Sequence, residues 1–167
     1  YKLEQSAAGG KPAPVSGLEL ATRLSYFFWS SLPDESLLAA ARSGQLVKAE
    51  AELQRQTRRM LADPRTRRLA VQFACQWLHL RGFDENDDKN EKLYPEFASL
   101  RAEMYEETVL FFTDMFRNDG SILDLLDADH EFLNETLAGH YGIAGVSGEQ
   151  WRRVENVKAR GRGGVLG

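Results

Sequence analysis

Apolar residues recur at helical spacing along most of the chain, and short polar stretches rich in glycine or proline separate the series. The first series follows Ser16, which forms with Glu19 the capping box typical of a helix start. This helix ends before Pro33, because proline cannot continue the backbone hydrogen-bond ladder. We expect its aromatic half, Phe27 to Trp29, to be buried.

Three further helices are predicted before residue 82. A short one begins after Asp34 and closes at Gly44, and another runs from about Val47 to Ala62. Asp63 and Pro64 then supply an N-cap and a first-turn proline for a helix whose apolar series is Leu69, Phe73, Trp77 and Leu80.

The longest series runs from Tyr94 to Asn118, and its apolar stripe is too wide for a helix that faces solvent. We therefore interpret it as a central helix. Ser121 and Asp124 then offer a capping box for a short helix, and Phe132, Leu133 and Leu137 indicate a further helix that stops at Gly142.

Residues 151–157 lack helical periodicity and favour a strand, for which Tyr1 to Glu4 is a hypothetical partner. The predicted fold class is mostly α, an irregular bundle of about six or seven helices around the long central helix, with a small two-stranded pairing of the chain ends considered as well. We divide the chain into an N-terminal extension or linker (1–16), a helical domain (17–150) and an extended segment leading into a further domain (151–167).

The composition argues against several classes of function and site. The 167 residues contain 21 Lys and Arg against 25 Asp and Glu, and a net charge of -4 argues against a general nucleic-acid binder. The single cysteine, Cys75, permits no internal disulfide and no cysteine-rich zinc site. No apolar run approaches the roughly 20 residues of a transmembrane helix.

The best candidates for functional side chains are Asn134, His140 and Tyr141, which lie close together in sequence. Six residues of helix place Asn134 and His140 on different faces. We favour a structural interpretation, in which Asn134 satisfies a neighbouring backbone group and Tyr141 closes the helix end.

Other clusters have simpler interpretations. Cys75 and His79 share a helix face, but two ligands do not make a metal site, and we interpret Cys75 as a buried thiol. Glu103, Glu106 and Glu107 lack the Glu-x-x-His pairs of a di-iron bundle, so a solvated acidic stripe is expected.

Calcium binding is only weakly indicated by the sequence, and the common catalytic signatures are missing from it. Asp127 to Glu131 alternates like a calcium loop, but Phe132 stands where the sharp turn requires glycine. The loop from Asp84 to Glu91 has oxygen ligands without motif geometry, so ordinary solvated charge is expected there. The sequence contains no Gly-x-Ser-x-Gly and no phosphate-binding loop.

Six arginines fall within 14 residues, and we call them the arginine patch: Arg55, Arg58, Arg59, Arg65, Arg67 and Arg68. The planar guanidinium fork binds carboxylates, so the patch is a candidate surface for docking an acidic loop of this or a neighbouring domain. The alternative is a solvated helical face with local ion pairs.

Three stretches carry a family resemblance: residues 18–35, 134–143 and 162–166. They resemble a domain of unknown function found in large secreted planctomycete-type cytochrome-like multidomain proteins. The resemblance implies export to the periplasm or the extracellular space, and a c-type haem in another domain of the same polypeptide. No cofactor is expected in this domain, because haem attachment requires Cys-x-x-Cys-His and Cys75 is the only cysteine.

These observations favour a non-catalytic helical module that contacts neighbouring domains of the same polypeptide through the arginine patch and the C-terminal segment. An alternative is part of an oxidoreductase or polysaccharide-processing active site that neighbouring domains complete, with His79, His130, His140 and Asn134 as the residues to test. A calcium-stabilised adhesion module is a third hypothesis.

Overall fold

The computed structural model describes residues 14–85, 89–90 and 92–165. As predicted, the chain is mostly helical, and it carries a small two-stranded antiparallel sheet. It divides into two compact units, Tyr1–Leu69 and Ala70–Gly167, which we describe separately. Within the described ranges, no helix is both long enough and apolar enough to span a membrane.

All secondary-structure elements of the first unit are helical over its described residues. Its elements are α1 (Gly17–Trp29), α2 (Glu35–Arg42), α3 (Gln45–Lys48), α4 (Glu50–Ala62), a 3-10 turn (Pro64–Thr66) and α5 (Arg67–Leu69). The prediction of one helix from Val47 to Ala62 is wrong, because Ala49 adopts an extended conformation (φ -119°, ψ 106°) that separates α3 from α4. Glu50 and Glu52 in the first turn of α4 favour a new start, since carboxylates stabilise helix N-termini.

The predicted caps of this unit are present. Ser16 Oγ accepts a hydrogen bond from Glu19 N, and the Glu19 carboxylate accepts one from Ser16 N at 2.8 Å. Asp63 Oδ1 accepts from Arg65 N at 2.8 Å, with Pro64 in the first helical position. The next residue after Ser16 is Gly17, where a Cβ atom would lie 2.5 Å from the Ala41 carbonyl oxygen, so glycine permits α1 and α2 to approach closely.

Trp29 is the centre of the first unit and is fully buried. Its Nε1 donates to the Met60 carbonyl oxygen at 2.9 Å, and the Thr66 hydroxyl donates to the same oxygen at 2.8 Å. The expectation of a buried aromatic half is correct for Phe28 and Trp29 and wrong for Phe27, which is 59% exposed. Phe27 is exposed because it lies off the helical face that the buried side chains share.

The second unit contains the longest helix and the sheet. Its elements are a π-helical turn (Ala70–Ala74), α6 (Cys75–Trp77), α7 (Phe97–Arg117), α8 (Asp124–Asp127), β1 (His130–Leu133), α9 (Glu135–His140), β2 (Arg152–Glu155) and a 3-10 turn (Lys158–Arg160). The long helix predicted from Tyr94 to Asn118 is thus confirmed as α7. The apolar series through Phe73 and Trp77 is not a buried stripe, since both side chains are more than half exposed. The π turn explains this, because its i→i+5 bonds add a residue to one turn and rotate the side chains that follow.

The sheet corrects two predictions. β1 pairs antiparallel with β2, with His130 opposite Glu155 and Leu133 opposite Arg152. The helix expected through Phe132 and Leu133 is therefore a strand there, and its buried residues alternate as the pleat requires. Residues 152–155 do form the predicted strand, but their partner is β1, and the hypothetical partner at residues 1–4 lies outside the described residues.

Two clusters of buried apolar side chains hold α7 in place. One joins α7 to the 70–75 segment and α8, and it comprises Ala70, Ala74, Cys75, Val109, Phe111, Phe112, Leu125 and Ala128. The other joins the start of α7 to β1 and α9, and it comprises Leu100, Leu133, Leu137, Ala138 and Ile143. The side chains that α7 presents between these clusters form the candidate site.

Candidate functional site

A cavity of about 160 Å³ lies within the second unit, and we call it the polar cavity. Helix α7 supplies one wall, β1 and the residue after α9 supply others, and residues 162–165 complete it. The lining residues are Met104, Glu107, Thr108, Phe111, Glu131, Tyr141, Arg162, Gly164 and Val165. Four of them are ionisable, namely Glu107, Glu131, Tyr141 and Arg162.

Glu131 and Arg162 form the most deeply buried ion pair of the cavity. The Glu131 side chain is 3% exposed, and Arg162 Nε donates to both of its carboxylate oxygens, at 2.9 and 3.0 Å. Burial lowers the pKa of Arg162, but the hydrogen bond to Glu131 and the nearby negative charges outweigh burial and hold that pKa above its ordinary value. The guanidinium carbon also lies 3.4 Å from the centre of the Tyr141 ring, so Arg162 makes a cation–π contact as well.

Glu107 is the second carboxyl group of the cavity. Its Oε2 accepts a hydrogen bond from the Tyr141 hydroxyl at 2.9 Å, and its Oε1 lies 4.0 Å from Arg162 Nη2. Burial raises the pKa of Glu107 to about 7 and the charge of Glu131 adds to this, against the opposing effects of Tyr141 and Arg162. Burial likewise raises the pKa of Tyr141, so that side chain stays a neutral phenol. Glu107 therefore changes its charge near neutral pH.

Two glycines bring Arg162 to the cavity. Gly164 has a φ of 66°, and a Cβ atom there would lie 2.6 Å from the Leu125 carbonyl oxygen. A Cβ on Gly163 would lie 2.7 Å from the carbonyl oxygen of Ala128. The backbone of residues 163–165 consequently packs directly on the end of α8, where Val165 N donates to Leu125 O at 2.9 Å.

The three candidate residues from the sequence lie in different places. Asn134 is the N-cap of α9, where its Oδ1 accepts from Leu137 N at 3.1 Å and its Nδ2 donates to Glu103 Oε2 at 2.6 Å. Tyr141 lies at the C-terminal end of α9 and lines the polar cavity. The structure therefore brings only Tyr141 of the three into this cavity.

His140 borders a different, more apolar groove. Its Nδ1 lies 3.4 Å from a carboxylate oxygen of Glu96. The groove has a volume of about 240 Å³ and is lined by Leu93, Tyr94, Pro95, Glu96, Phe97, Leu100, Met104 and His140.

The sequence reasoning missed Glu107, Glu131 and Arg162. The solvated acidic stripe expected on α7 is wrong at Glu107, whose side chain is only 15% exposed. A signal was present, because Glu107 falls in step with Leu100, Met104 and Phe111 on the apolar face of the helix. Arg162 opens the third stretch of the family resemblance, but its local sequence does not indicate a partly buried side chain, because that position depends on the chain folding back over α8.

Much of the arginine patch is engaged in ion pairs inside the first unit. Arg59 donates to both carboxylate oxygens of Asp34, at 2.7 and 2.9 Å. Arg65 donates twice to Asp63 and lies 3.5 Å from the centre of the Trp29 ring. These two arginines help to enclose Trp29.

Of the remaining members of the patch, Arg55, Arg58 and Arg68 are exposed. Arg55 pairs with Glu52, and this hydrogen bond contributes most to holding the pKa of Glu52 down at about 2. Arg68 donates to the Trp29 carbonyl oxygen at 2.9 Å, and Arg67 also has an interaction partner. Arg58 is exposed, and Arg55 keeps 60% of its side chain exposed in the pair.

The other sequence candidates have different surroundings. Cys75 is a buried free thiol as predicted, and His79 is exposed. The His130 ring stacks on Phe111 with 5.3 Å between centroids. In the part of the chain that the structure describes, no group of three or more His, Cys, Asp or Glu side chains is placed to hold a metal ion. Four residues of the loop from Asp84 to Glu91, namely 86–88 and 91, lie outside the described part of the chain.

Residues 15–143 match the family PSD4, described as a protein of unknown function (DUF1592). The chain belongs to this family. The matched range includes Glu107, Glu131 and Tyr141 but ends before Arg162, so the PSD4 match covers three of the four ionisable residues of the polar cavity. No curated protein and no solved structure matches the chain.

Proposed function

We propose that this PSD4 domain is a non-catalytic helical interaction module, and that it contacts neighbouring domains of one exported, cytochrome-like polypeptide. The observation that carries the proposal is how the buried polar groups are used. Asn134 is bound to Glu103, Tyr141 to Glu107 and Arg162 to Glu131, which fastens α9 to α7 and the C-terminal segment to β1. Buried polar groups that are paired in this way stabilise one arrangement of segments.

The cellular context is part of the same proposal. The resemblance of residues 18–35, 134–143 and 162–166 to secreted planctomycete-type proteins supports a periplasmic or extracellular location. The same resemblance supports a c-type haem in another domain of the polypeptide. This chain cannot attach such a haem itself, because its single cysteine does not provide the two thiols that the attachment requires.

The exposed edge of the arginine patch is the proposed contact surface. Arg58 and the outer part of Arg55 extend from α4 into solvent, whereas Arg59 and Arg65 are held by carboxylates of their own unit. Exposed guanidinium groups favour a partner surface rich in Asp and Glu. The neighbouring domain is therefore expected to present an acidic face.

The test is a binding measurement between this domain and separately purified neighbouring domains of the full-length polypeptide. Arg58→Glu should weaken binding by about tenfold, because it replaces an attraction at the interface with a repulsion. Arg42→Glu is the matched control, since Arg42 is also exposed and helical but lies on α2, outside the patch. A lack of association between the wild-type domains would refute the proposal, as would equal effects of the two substitutions.

A second candidate function is catalytic. The domain would contribute part of an oxidoreductase or polysaccharide-processing active site, which neighbouring domains complete. The polar cavity favours it, because a carboxyl group with a pKa of about 7 suits general acid or base catalysis at neutral pH. Turnover by the full-length protein would distinguish the two functions. Loss of turnover in a folded Glu107→Gln variant would support catalysis, and unchanged turnover would exclude Glu107 from it.

A further inference from the structure

The polar cavity retains hydrogen-bonding groups that its own ion pairs do not use. Arg162 donates to Glu131 through its Nε atom alone. Neither terminal nitrogen of its guanidinium has a hydrogen bond to any residue that the structure describes. Glu107 Oε1 likewise accepts no hydrogen bond from the described residues. The Thr108 hydroxyl donates to Met104 O at 3.1 Å, which leaves its oxygen free to accept.

Hydrogen-bond donors and acceptors both line the polar cavity. The Arg162 nitrogens are donors, whereas Glu107 Oε1 and Thr108 Oγ1 are acceptors, and all three residues line the cavity. A hydroxyl group both donates and accepts, so one hydroxyl can link Arg162 to Glu107 and an adjacent one can donate to Thr108. Met104, Phe111 and Val165 provide apolar walls for the C–H faces of such a molecule.

The charges of the cavity favour a neutral occupant. Arg162 and Glu131 already neutralise each other, and the carboxyl of Glu107 stands beside them. An anion would face two carboxyl groups, and a cation would face the guanidinium, so each would lie beside a like charge. Below pH 7 the carboxyl of Glu107 is mostly protonated, so it adds no net attraction for a cation there. A neutral polar molecule avoids both costs.

We propose that the polar cavity binds a small neutral polyol, through hydroxyl groups that pair with Arg162, Glu107 and Thr108. Its volume of about 160 Å³ equals that of about five water molecules at roughly 30 Å³ each, so a triol or a single sugar ring is the size limit. This site is additional to the proposed interaction surface on the first unit and does not depend on it.

The experiment titrates the full chain with glycerol and with glucose and follows backbone amide chemical shifts by NMR. Saturable shifts are expected at residues 107–108, 162 and 164–165, which line the cavity. Lactate and ethanolamine serve as charged probes of similar size, and each should bind at least about tenfold more weakly than the better polyol. Tighter binding of either charged probe, or no saturable shift with either polyol, would overturn the proposal.

Two pairs of variants locate the site. Thr108→Val removes an acceptor with little change in volume, and its control is Thr113→Val, because Thr113 makes the same bond to the carbonyl four residues earlier but lies outside the cavity. Glu107→Gln replaces the free acceptor with an amide, and its control is Glu103→Gln on the same helix.

Thr108→Val and Glu107→Gln should each weaken polyol binding by about fivefold to tenfold. The controls, Thr113→Val and Glu103→Gln, should weaken it by less than about twofold. Equal weakening by a variant and its control would contradict the assignment. Thermal melting monitored by circular dichroism verifies that each variant is folded. If Glu107→Gln does not fold, the comparison of Thr108→Val with Thr113→Val decides the question.

Discussion

Substitution of Glu107 by glutamine should change how the stability of the second unit depends on pH. In the folded protein the pKa of Glu107 is raised to about 7 by burial, against an ordinary value of 4.5. Between these two values the folded state binds a proton that the unfolded state has released. Stability from this proton is therefore complete below pH 4.5, declines as the pH rises, and is lost above pH 7.

The magnitude follows from the interval between the two pKa values. At about 1.4 kcal/mol for each pH unit, the interval corresponds to about 3 kcal/mol of unfolding free energy. Glutamine keeps the acceptor for the Tyr141 hydroxyl but cannot ionise, so Glu107→Gln removes this dependence. The variant should match wild type near pH 4 and exceed it by up to about 3 kcal/mol near pH 8.

Urea denaturation at several pH values between about 4 and 8 measures this difference, with circular dichroism as the probe. Glu103→Gln is the matched control, because it makes the same charge change one helical turn earlier and leaves Glu107 in place. A difference between wild type and Glu107→Gln that does not grow with pH would refute the linkage argument.

Three further substitutions test the packing around this site and around Trp29. Arg162→Leu leaves the buried Glu131 carboxylate without its partner and should cost about 3–5 kcal/mol by urea denaturation, whereas Leu at the exposed Arg160 should cost under about 0.5 kcal/mol. Gly164→Ala should destabilise by about 1–2 kcal/mol more than Gly161→Ala, since both have positive φ but only the Gly164 Cβ would meet backbone atoms; thermal melting compares them. Trp29→Phe loses the hydrogen bond to Met60 O and buried area, and a loss of about 2 kcal/mol is expected from denaturation curves; a loss below about 0.5 kcal/mol would contradict that reasoning.

The elements that the sequence predicts best are those whose signals are local. The capping box at Ser16 and the long apolar stripe of α7 each depend on residues within a few turns of one another, and both are confirmed. The local pattern predicts a helix where β1 lies, because Phe132 and Leu133 suit either the helical or the strand period in so short a run. Only its pairing with residues 152–155, about twenty positions later, settles the strand.

The polar cavity was harder to predict than the fold because its residues come from four separate segments. Glu107 could have been singled out, since a carboxylate in the middle of an apolar helical face requires an explanation. Glu131 and Arg162 carry no such mark, because their pairing depends on how far residues 156–165 fold back. Asn134 caps α9 and Tyr141 lies at its C-terminal end, but spacing alone does not identify their partners Glu103 and Glu107.

The carbonyl oxygen of Met60, which accepts hydrogen bonds from Trp29, Thr66 and the Asp63 amide, has a consequence for how this sequence can vary. The acceptor belongs to the main chain, so a change of side chain at position 60 leaves it in place, provided that the new residue fills the same buried volume. The donors at positions 29 and 66 have no such freedom, since only a few residue types carry a suitable N–H or O–H group. An alanine scan would therefore attribute the junction to Trp29 and Thr66 and overlook the atom at which α1, α4 and the 3-10 turn meet.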